Sequence, residues 1–96
     1  MELQTPYAAL RVLETVVRHR NYSWAAEELE VTHSAISQTV KRLEVQLGIK
    51  LFERRQGEMR PSQAALDLAA AYTRAERSLR RSLDEILAEK AIIARN

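Results

Sequence analysis

The chain contains no cysteine. That excludes a disulfide framework, a thiolate metal site and a thiol nucleophile, and it is compatible with a reducing compartment. No run of about 18 apolar residues occurs, which excludes a transmembrane helix. Met1-Glu2-Leu3-Gln4 shows no basic stretch followed by an apolar one, so it does not read as a secretory leader. A cytoplasmic protein without membrane contact is the expectation. Histidine occurs only at His19 and His33, on different predicted helices, and there is no glycine-rich phosphate loop or Ser/His/Asp grouping. His19 reads as a cation at a helix C-terminus, and His33 has no evident metal co-ligand. The chain is therefore expected to be no enzyme and to hold no cofactor and no metal.

At 96 residues the chain makes one domain with little left over. A domain of roughly 60 residues buries only about 60% of its chain surface, so a second copy or a partnered helix would add stability. The net charge of +2 implies little by itself. Its distribution says more. From His33 to Pro61 the basic residues are Lys41, Arg42, Lys50, Arg54, Arg55 and Arg60, against Glu44, Glu53 and Glu58, whereas Glu27, Glu28 and Glu30 make the preceding stretch acidic. A local basic surplus is the footprint of a nucleic-acid binder. Ordinary surface charge produces such a surplus more often, so charge alone does not decide.

The two glycines and two prolines fall where punctuation is useful. A first helix begins after Pro6, with Leu10, Leu13 and Val17 at i, i+3, i+7 and Ala9, Val12 and Val16 widening the stripe. It fades at Arg18-His19-Arg20-Asn21. Ser23 reads as the N-cap of a short second helix whose buried face is Ala25, Ala26 and Leu29. Thr32 caps a third helix, in which Ile36, Val40, Leu43 and Leu47 form one face. Gly48 follows as a residue able to take positive φ, with Ile49 the apolar residue just past it. Lys50 to Arg54 reads as a short strand, Arg55-Gln56-Gly57-Glu58 as a turn and Met59-Arg60 as the start of a return strand that Pro61 ends. Ser62 then caps a last helix reaching about Ala94.

Two helices joined by a turn of about three residues, the second of them amphipathic, make a helix-turn-helix. The small Ala25 and Ala26 let the helices approach closely, and Val31 is placed to plug the corner. In the third helix the core face leaves His33, Ser34, Ser37, Gln38 and Lys41 outside, and each can donate or accept a hydrogen bond. A helix entering the major groove presents such residues to base edges. Gln38 suits adenine and His33 a guanine acceptor, while Ser37 and Lys41 better suit phosphates. The Ala35 methyl lies near a groove edge or near the second helix, and the sequence leaves both open. Arg54, Arg55 and Arg60 lie at the tip and edges of the hairpin, where long cations follow the backbone or enter the minor groove. Trp24 reads first as a packing residue, with its indole N–H against a phosphate as the alternative.

Ser23-Trp24-Ala25-Ala26, Leu29, Val31 to Ser37, Leu43-Glu44, Leu47-Gly48 and Leu51-Phe52-Glu53-Arg54 together resemble the N-terminal winged helix-turn-helix of LysR-type transcriptional regulators, over roughly residues 4 to 65. The resemblance implies a mainly α fold: three helices and a two-stranded wing, then a long linker helix for dimerisation. It divides the chain into a DNA-binding domain at 1–61, with the helix-turn-helix at about 22–41, and a linker helix at 62–96. It places a recognition helix at 33–47 and a wing at 52–60. It further implies homodimers on interrupted dyad sites in promoters. The DNA contacts then fall on Ser23, Trp24, Thr32, His33, Ser34, Ser37, Gln38, Lys41, Arg54, Arg55 and Arg60. The family usually has Leu-Thr after the wing and a glycine three residues after that threonine; here those positions hold Pro61, Ser62 and Ala65. Family members also carry a far larger effector-sensing domain. Either this is a cut DNA-binding segment or a short native protein.

In the last helix Leu68, Tyr72, Ala75, Leu79, Leu83, Ile86 and Ile93 share one stripe. Such a stripe exceeds what one small domain covers, and a two-fold copy of the same helix is the simplest cover. The first part is expected to pack on its own domain and the later part on a partner, which makes Leu68, Tyr72, Ala75, Leu79, Leu83 and Ile86 the candidate dimer residues. Arg74, Arg77, Arg80 and Arg81 form a basic strip, read as a solvated face with Glu76–Arg80 and Arg81–Glu85 pairs in preference to a phosphate contact. Two rival functions remain: an interaction protein that pairs its last helix with a longer regulator, and a non-specific architectural DNA binder. The mixed polar face of the third helix argues against the second.

Overall fold

The computed structural model describes residues 7–95, with the side chain of residue 95 left aside, so the readings at Met1–Gln4 and at both outer domain limits lie outside the described residues. Four helices and one hairpin follow in the order α1 (Tyr7–His19), α2 (Tyr22–Leu29), α3 (His33–Leu47), β1 (Phe52–Arg55), β2 (Glu58–Pro61) and α4 (Gln63–Arg95). This is the winged helix-turn-helix with a long C-terminal helix that the sequence led us to expect.

Each boundary has a local cause. At the end of α1 the Arg20 N–H bonds the Val16 carbonyl at 2.7 Å while Arg20 turns left-handed, φ 53°. The reversal leaves Asn21 extended, and its Oδ1 accepts the Trp24 N–H at 2.9 Å. Asn21, not Ser23, is thus the N-cap of α2. Both residue types cap well, but the backbone leaves helical geometry at Asn21, and Ser23 already lies inside the first turn. α2 ends with Glu30 left-handed at φ 56°, its N–H bonded to Glu27 and the Val31 N–H to Ala26. α3 closes with the same double bond pattern at Gly48, φ 70°, where Gly48 and Ile49 donate back to Val45 and Glu44. Thr32 Oγ1 caps α3 from Ala35 N–H at 3.0 Å, and Ser62 Oγ caps α4 from Ala65 N–H at 3.2 Å.

The core has two parts. Ala9, Leu13, Leu43, Leu51 and Ala65 join α1, α3, the approach to the wing and α4. Val16, Ala25, Ala26, Ile36 and Val40 join α1, α2 and α3. Ala25 and Ala26 are buried as expected. Val31 is not the corner plug: it is 46% exposed, and Tyr22, Leu29, Phe52 and Met59 pack against the second cluster instead. That cluster draws its partly buried neighbours from α1, α2 and the wing and leaves Val31 outside it. Thr15 is buried, and its hydroxyl donates to the Arg11 carbonyl at 2.8 Å.

The wing is shorter at its base and tighter at its tip than its composition suggests. β1 and β2 pair antiparallel with Phe52 opposite Pro61 and Arg55 opposite Glu58. The turn is therefore Gln56-Gly57 alone, with φ of 52° and 77°, as a two-residue type I′ connection requires. Lys50 and Leu51 stay outside the ladder because Glu44, on α3, takes the Leu51 N–H on its Oε2 at 2.7 Å and the Phe52 N–H at 3.5 Å. The Leu51 carbonyl accepts Ser62 N–H at 2.8 Å. Pro61 ends the return strand at the last paired position, where the missing N–H does little harm.

α4 is about 50 Å long at 1.5 Å per residue. Ala65 and Ala69 are buried, and Leu68, Tyr72 and Thr73 are half-buried. Every residue from Arg74 to Ala94 is exposed. Among the described residues no helix is long and apolar enough to cross a membrane.

Candidate nucleic-acid interface

α3 turns its core face, Ile36, Val40 and Leu43, inward, with Leu47 partly covered. The helical period then sets what points away. Ser34, Gln38, Lys41 and Val45 fall at i, i+4, i+7 and i+11 and are all exposed. His33 is exposed beside this stripe and Ser37 is half-buried at its margin. Val45, 82% exposed, continues the stripe and was missed because the sequence was read for hydrogen-bonding residues alone.

His33 is not free-standing. Its ring lies 5.5 Å from that of Tyr22, tilted by 55°, and Tyr22 meets Phe52 edge-on at 6.1 Å. The three rings join the start of α2, the start of α3 and the wing. Burial pushes the Tyr22 hydroxyl pKa above its ordinary value, with Glu44 adding to that and Arg54 opposing it. Thr32 is exposed, but its hydroxyl oxygen is already accepting from Ala35. Ser23 is exposed, and Trp24 is 60% exposed, so packing does not account for the indole.

The wing register separates the three arginines expected to act together. Cross-strand partners share a face, so Arg54 lies with Met59, Phe52 and Pro61, while Arg55 and Arg60 share the other face with Glu58 and Glu53. Arg55 Nε is 3.7 Å from Glu53 Oε2. The outer face thus balances two cations with two carboxylates, whereas Arg54 stands on a face without an acid. Between the wing and the start of α2 runs a cleft of about 730 Å³, into which Arg20, Ser23, His33 and Arg54 all open.

The acidic stretch before α3 has a structural use. Arg18 forks from Glu14, at 2.9 Å, to Glu28, at 2.5 Å, and His19 Nε2 reaches the same Glu28 at 2.7 Å. Hydrogen bonds from Arg18 and then His19 hold the Glu28 carboxyl down at about 2, and the two glutamates push the Arg18 guanidinium pKa upward. His19 is therefore a tie between α1 and α2, beyond its place at a helix end. On α4 the Glu76–Arg80 pair closes at 3.1 Å. Arg81 and Glu85 form no such pair among the described residues. Leu68, one of the candidate dimer residues, packs against Ala9, Leu13, Leu43, Leu51 and Ala65 of its own chain, so its side chain is already partnered within the domain. Tyr72 is half-buried, whereas Ala75, Leu79, Leu83 and Ile86 are open.

Residues 7–66, more than half of the chain, match the family described as bacterial regulatory helix-turn-helix protein, lysR family. The chain belongs to that family. This LysR-type domain is 38% identical over 78 residues to the RuBisCO operon transcriptional regulator of Allochromatium vinosum, covering 81% of this chain and 26% of that protein. A solved structure of a probable transcriptional regulator from Pseudomonas aeruginosa superposes with a TM-score of 0.75 at 39% identity, over 85% of this chain and 27% of the other. The DNA complex of the CbnR DNA-binding domain superposes with a TM-score of 0.74 at 25% identity, over 88% of this chain and 97% of that one. The chain thus spans about a quarter of the length of the first two relatives. Where it departs from the usual LysR pattern after the wing, the junction holds: Ser62 caps α4 and Ala65 is fully buried.

Proposed function

We propose that this LysR-type domain binds double-stranded DNA selectively, with α3 in the major groove and the wing on the backbone or in the minor groove. It acts as a homodimer on a promoter site with two-fold character and so regulates transcription. The observation that carries the reading is the outward stripe of α3: Ser34, Gln38 and Lys41 are exposed, hydrogen-bonding and unencumbered by bulky apolar neighbours in the first half of the helix. His33, Ser37 and Arg54 flank it, with Ser23, Trp24, Thr32, Arg55 and Arg60 as further candidate contacts. A purely electrostatic binder would present lysine and arginine there instead. The apolar stripe on the uncovered part of α4, Leu79, Leu83 and Ile86, supports the dimer, since these side chains are 58–67% exposed in one chain. The reading puts the protein in the bacterial cytoplasm, needs no cofactor for DNA binding and leaves effector sensing to a further domain of the kind its longer relatives have room for.

Selection from random duplexes followed by sequencing tests this directly. The expected result is an enriched motif containing two related half-sites. Failure to enrich any sequence would remove the selective reading. On the enriched site Gln38→Ala should weaken binding by about 1–3 kcal/mol, while leaving binding to a scrambled duplex nearly unchanged.

A further inference from the structure

The cleft between the wing and the start of α2 holds a cation that the helix-turn-helix reading does not assign. Three guanidinium-bearing residues, Arg20, Arg54 and Arg60, line it against a single carboxylate, Glu58. None of the three forms an ion pair among the described residues, in contrast to Arg18, Arg55 and Arg80. The register makes Glu58 the partner of Arg55 across the outer face of the wing. Arg20 lines the cleft from the link between α1 and α2 and Arg54 lines it from the wing, and Glu58, its single carboxylate, forms no ion pair with either among the described residues.

The backbone at Arg20 sharpens the point. It is left-handed, φ 53°, at the link between α1 and α2. That conformation favours glycine, and an L side chain there is strained. The side chain is exposed and lines the cleft. Glycine would relieve that strain, so what arginine alone brings to this position is its charge, which also suits the C-terminal end of the α1 dipole.

We infer that Arg20 is a DNA-backbone contact, and that Arg20 and Arg54 together seat phosphates of one strand as it passes between the start of α2 and the wing. The inference rests on the DNA-binding reading above. The chemistry required is that of a phosphodiester: guanidinium groups from two walls, with the Ser23 hydroxyl opening on the same space. Such a seat fixes how the two halves of the domain sit on a single strand and carries no base preference of its own.

The test compares the unsubstituted 96-residue chain with Arg20→Gly, Arg20→Gln, Arg20→Lys and Arg20→Gly/Arg54→Ala. Each is titrated by fluorescence anisotropy on the selected duplex and on a scrambled one, over a series of salt concentrations. Arg20→Gly should melt no lower than the unsubstituted chain and yet lower the salt slope by about one per bound protomer on both duplexes. The affinity ratio between the two proteins should accordingly narrow roughly 3.5-fold per bound protomer, about 12-fold for a dimer, between about 50 and about 200 mM salt. Arg20→Lys should keep the slope, and the double variant should lose about two per bound protomer. If Arg20→Gly melts lower, Arg20→Gln carries the comparison. A slope unchanged by loss of the charge overturns the inference while DNA binding by the unsubstituted chain stands, and so does a slope for Arg20→Lys as low as that for Arg20→Gly. Absence of binding by the unsubstituted chain to any duplex overturns the reading beneath it. In a last arm, inorganic phosphate replaces chloride at equal ionic strength. Equal effects of the two anions support the backbone assignment, and specific competition by phosphate that Arg20→Gly abolishes would make the cleft a free-anion site instead.

Discussion

Replacing Glu44 with alanine removes the acceptor of the Leu51 N–H, which the carboxylate holds at 2.7 Å. Leu51 is completely buried, so water is a poor substitute partner for that donor. An orphaned buried donor costs about 1–3 kcal/mol, and the lost bond was to a charged acceptor, which sets the expectation near 2 kcal/mol. Glu44→Gln keeps an acceptor oxygen at the same reach and loses only the charge, so it should cost about 1 kcal/mol or less. For a domain of this size each 1 kcal/mol shifts Tm by about 4–8 °C, so Glu44→Ala should melt roughly 8–16 °C lower. Circular dichroism during heating, with urea titration at neutral pH and fixed protein concentration, reads both variants. The urea midpoint should fall with an unchanged slope. The reasoning fails if Glu44→Ala lies within about 0.5 kcal/mol of the unsubstituted chain, the usual range for surface changes without structural consequence. Equal losses for the two variants would also refute it, because they would locate the effect in charge rather than in the missing acceptor.

Other perturbations follow from the same geometry. The Glu28 carboxyl sits at about 2 in the folded chain against an ordinary 4.5, so its stabilising effect is full above the ordinary value and is lost as the pH falls from there through about 2. Glu28→Gln should flatten the dependence of Tm on pH in that window, and an unflattened curve would show that the Arg18–His19 tie contributes nothing. Glu30→Gly relieves a left-handed glutamate at φ 56° and should raise stability by up to about 1 kcal/mol; a lower urea midpoint would contradict this. Leu79→Glu with Leu83→Glu places charge on exposed positions of α4, so helix content should persist while sedimentation shifts from dimer to monomer. An unchanged sedimentation coefficient would remove those residues from the dimer contact.

Elements governed by local rules were legible in the sequence. The spacing of Ile36, Val40, Leu43 and Leu47 fixed the inward face of α3, and Thr32, Gly48 and Ser62 act at its ends and at the start of α4 as their chemistry requires. What escaped depended on parts of the chain that meet only after folding. Asn21 and Ser23 are equally able caps, and the left-handed Arg20 decides between them. Nothing local announces that Glu44 reaches forward to the base of the wing, or that Glu28 gathers Arg18 and His19. Val31 stays outside the second cluster, against which Tyr22, Phe52 and Met59 pack from α2 and the wing. For the candidate interface, the polar stripe of α3 followed from helical periodicity alone. The division of Arg54 from Arg55 and Arg60 needed the strand register, which a run of charged residues with no alternation cannot supply.

The uncovered length of α4 is also a lever arm. From Arg74 to Ala94 every residue is exposed, yet this stretch is continuous with the segment that Ala65 and Ala69 bury in the core. That stretch, about 31 Å at 1.5 Å per residue, turns angle into distance: a 10° change of tilt where it leaves the domain moves the far end by roughly 5.5 Å. That is between one and two base-pair steps of about 3.4 Å. Whatever grips the outer half of α4 therefore commands the position of the α3 stripe through angle alone. In the proposed dimer, a slight change in that grip would move the two α3 stripes into or out of step with a duplex.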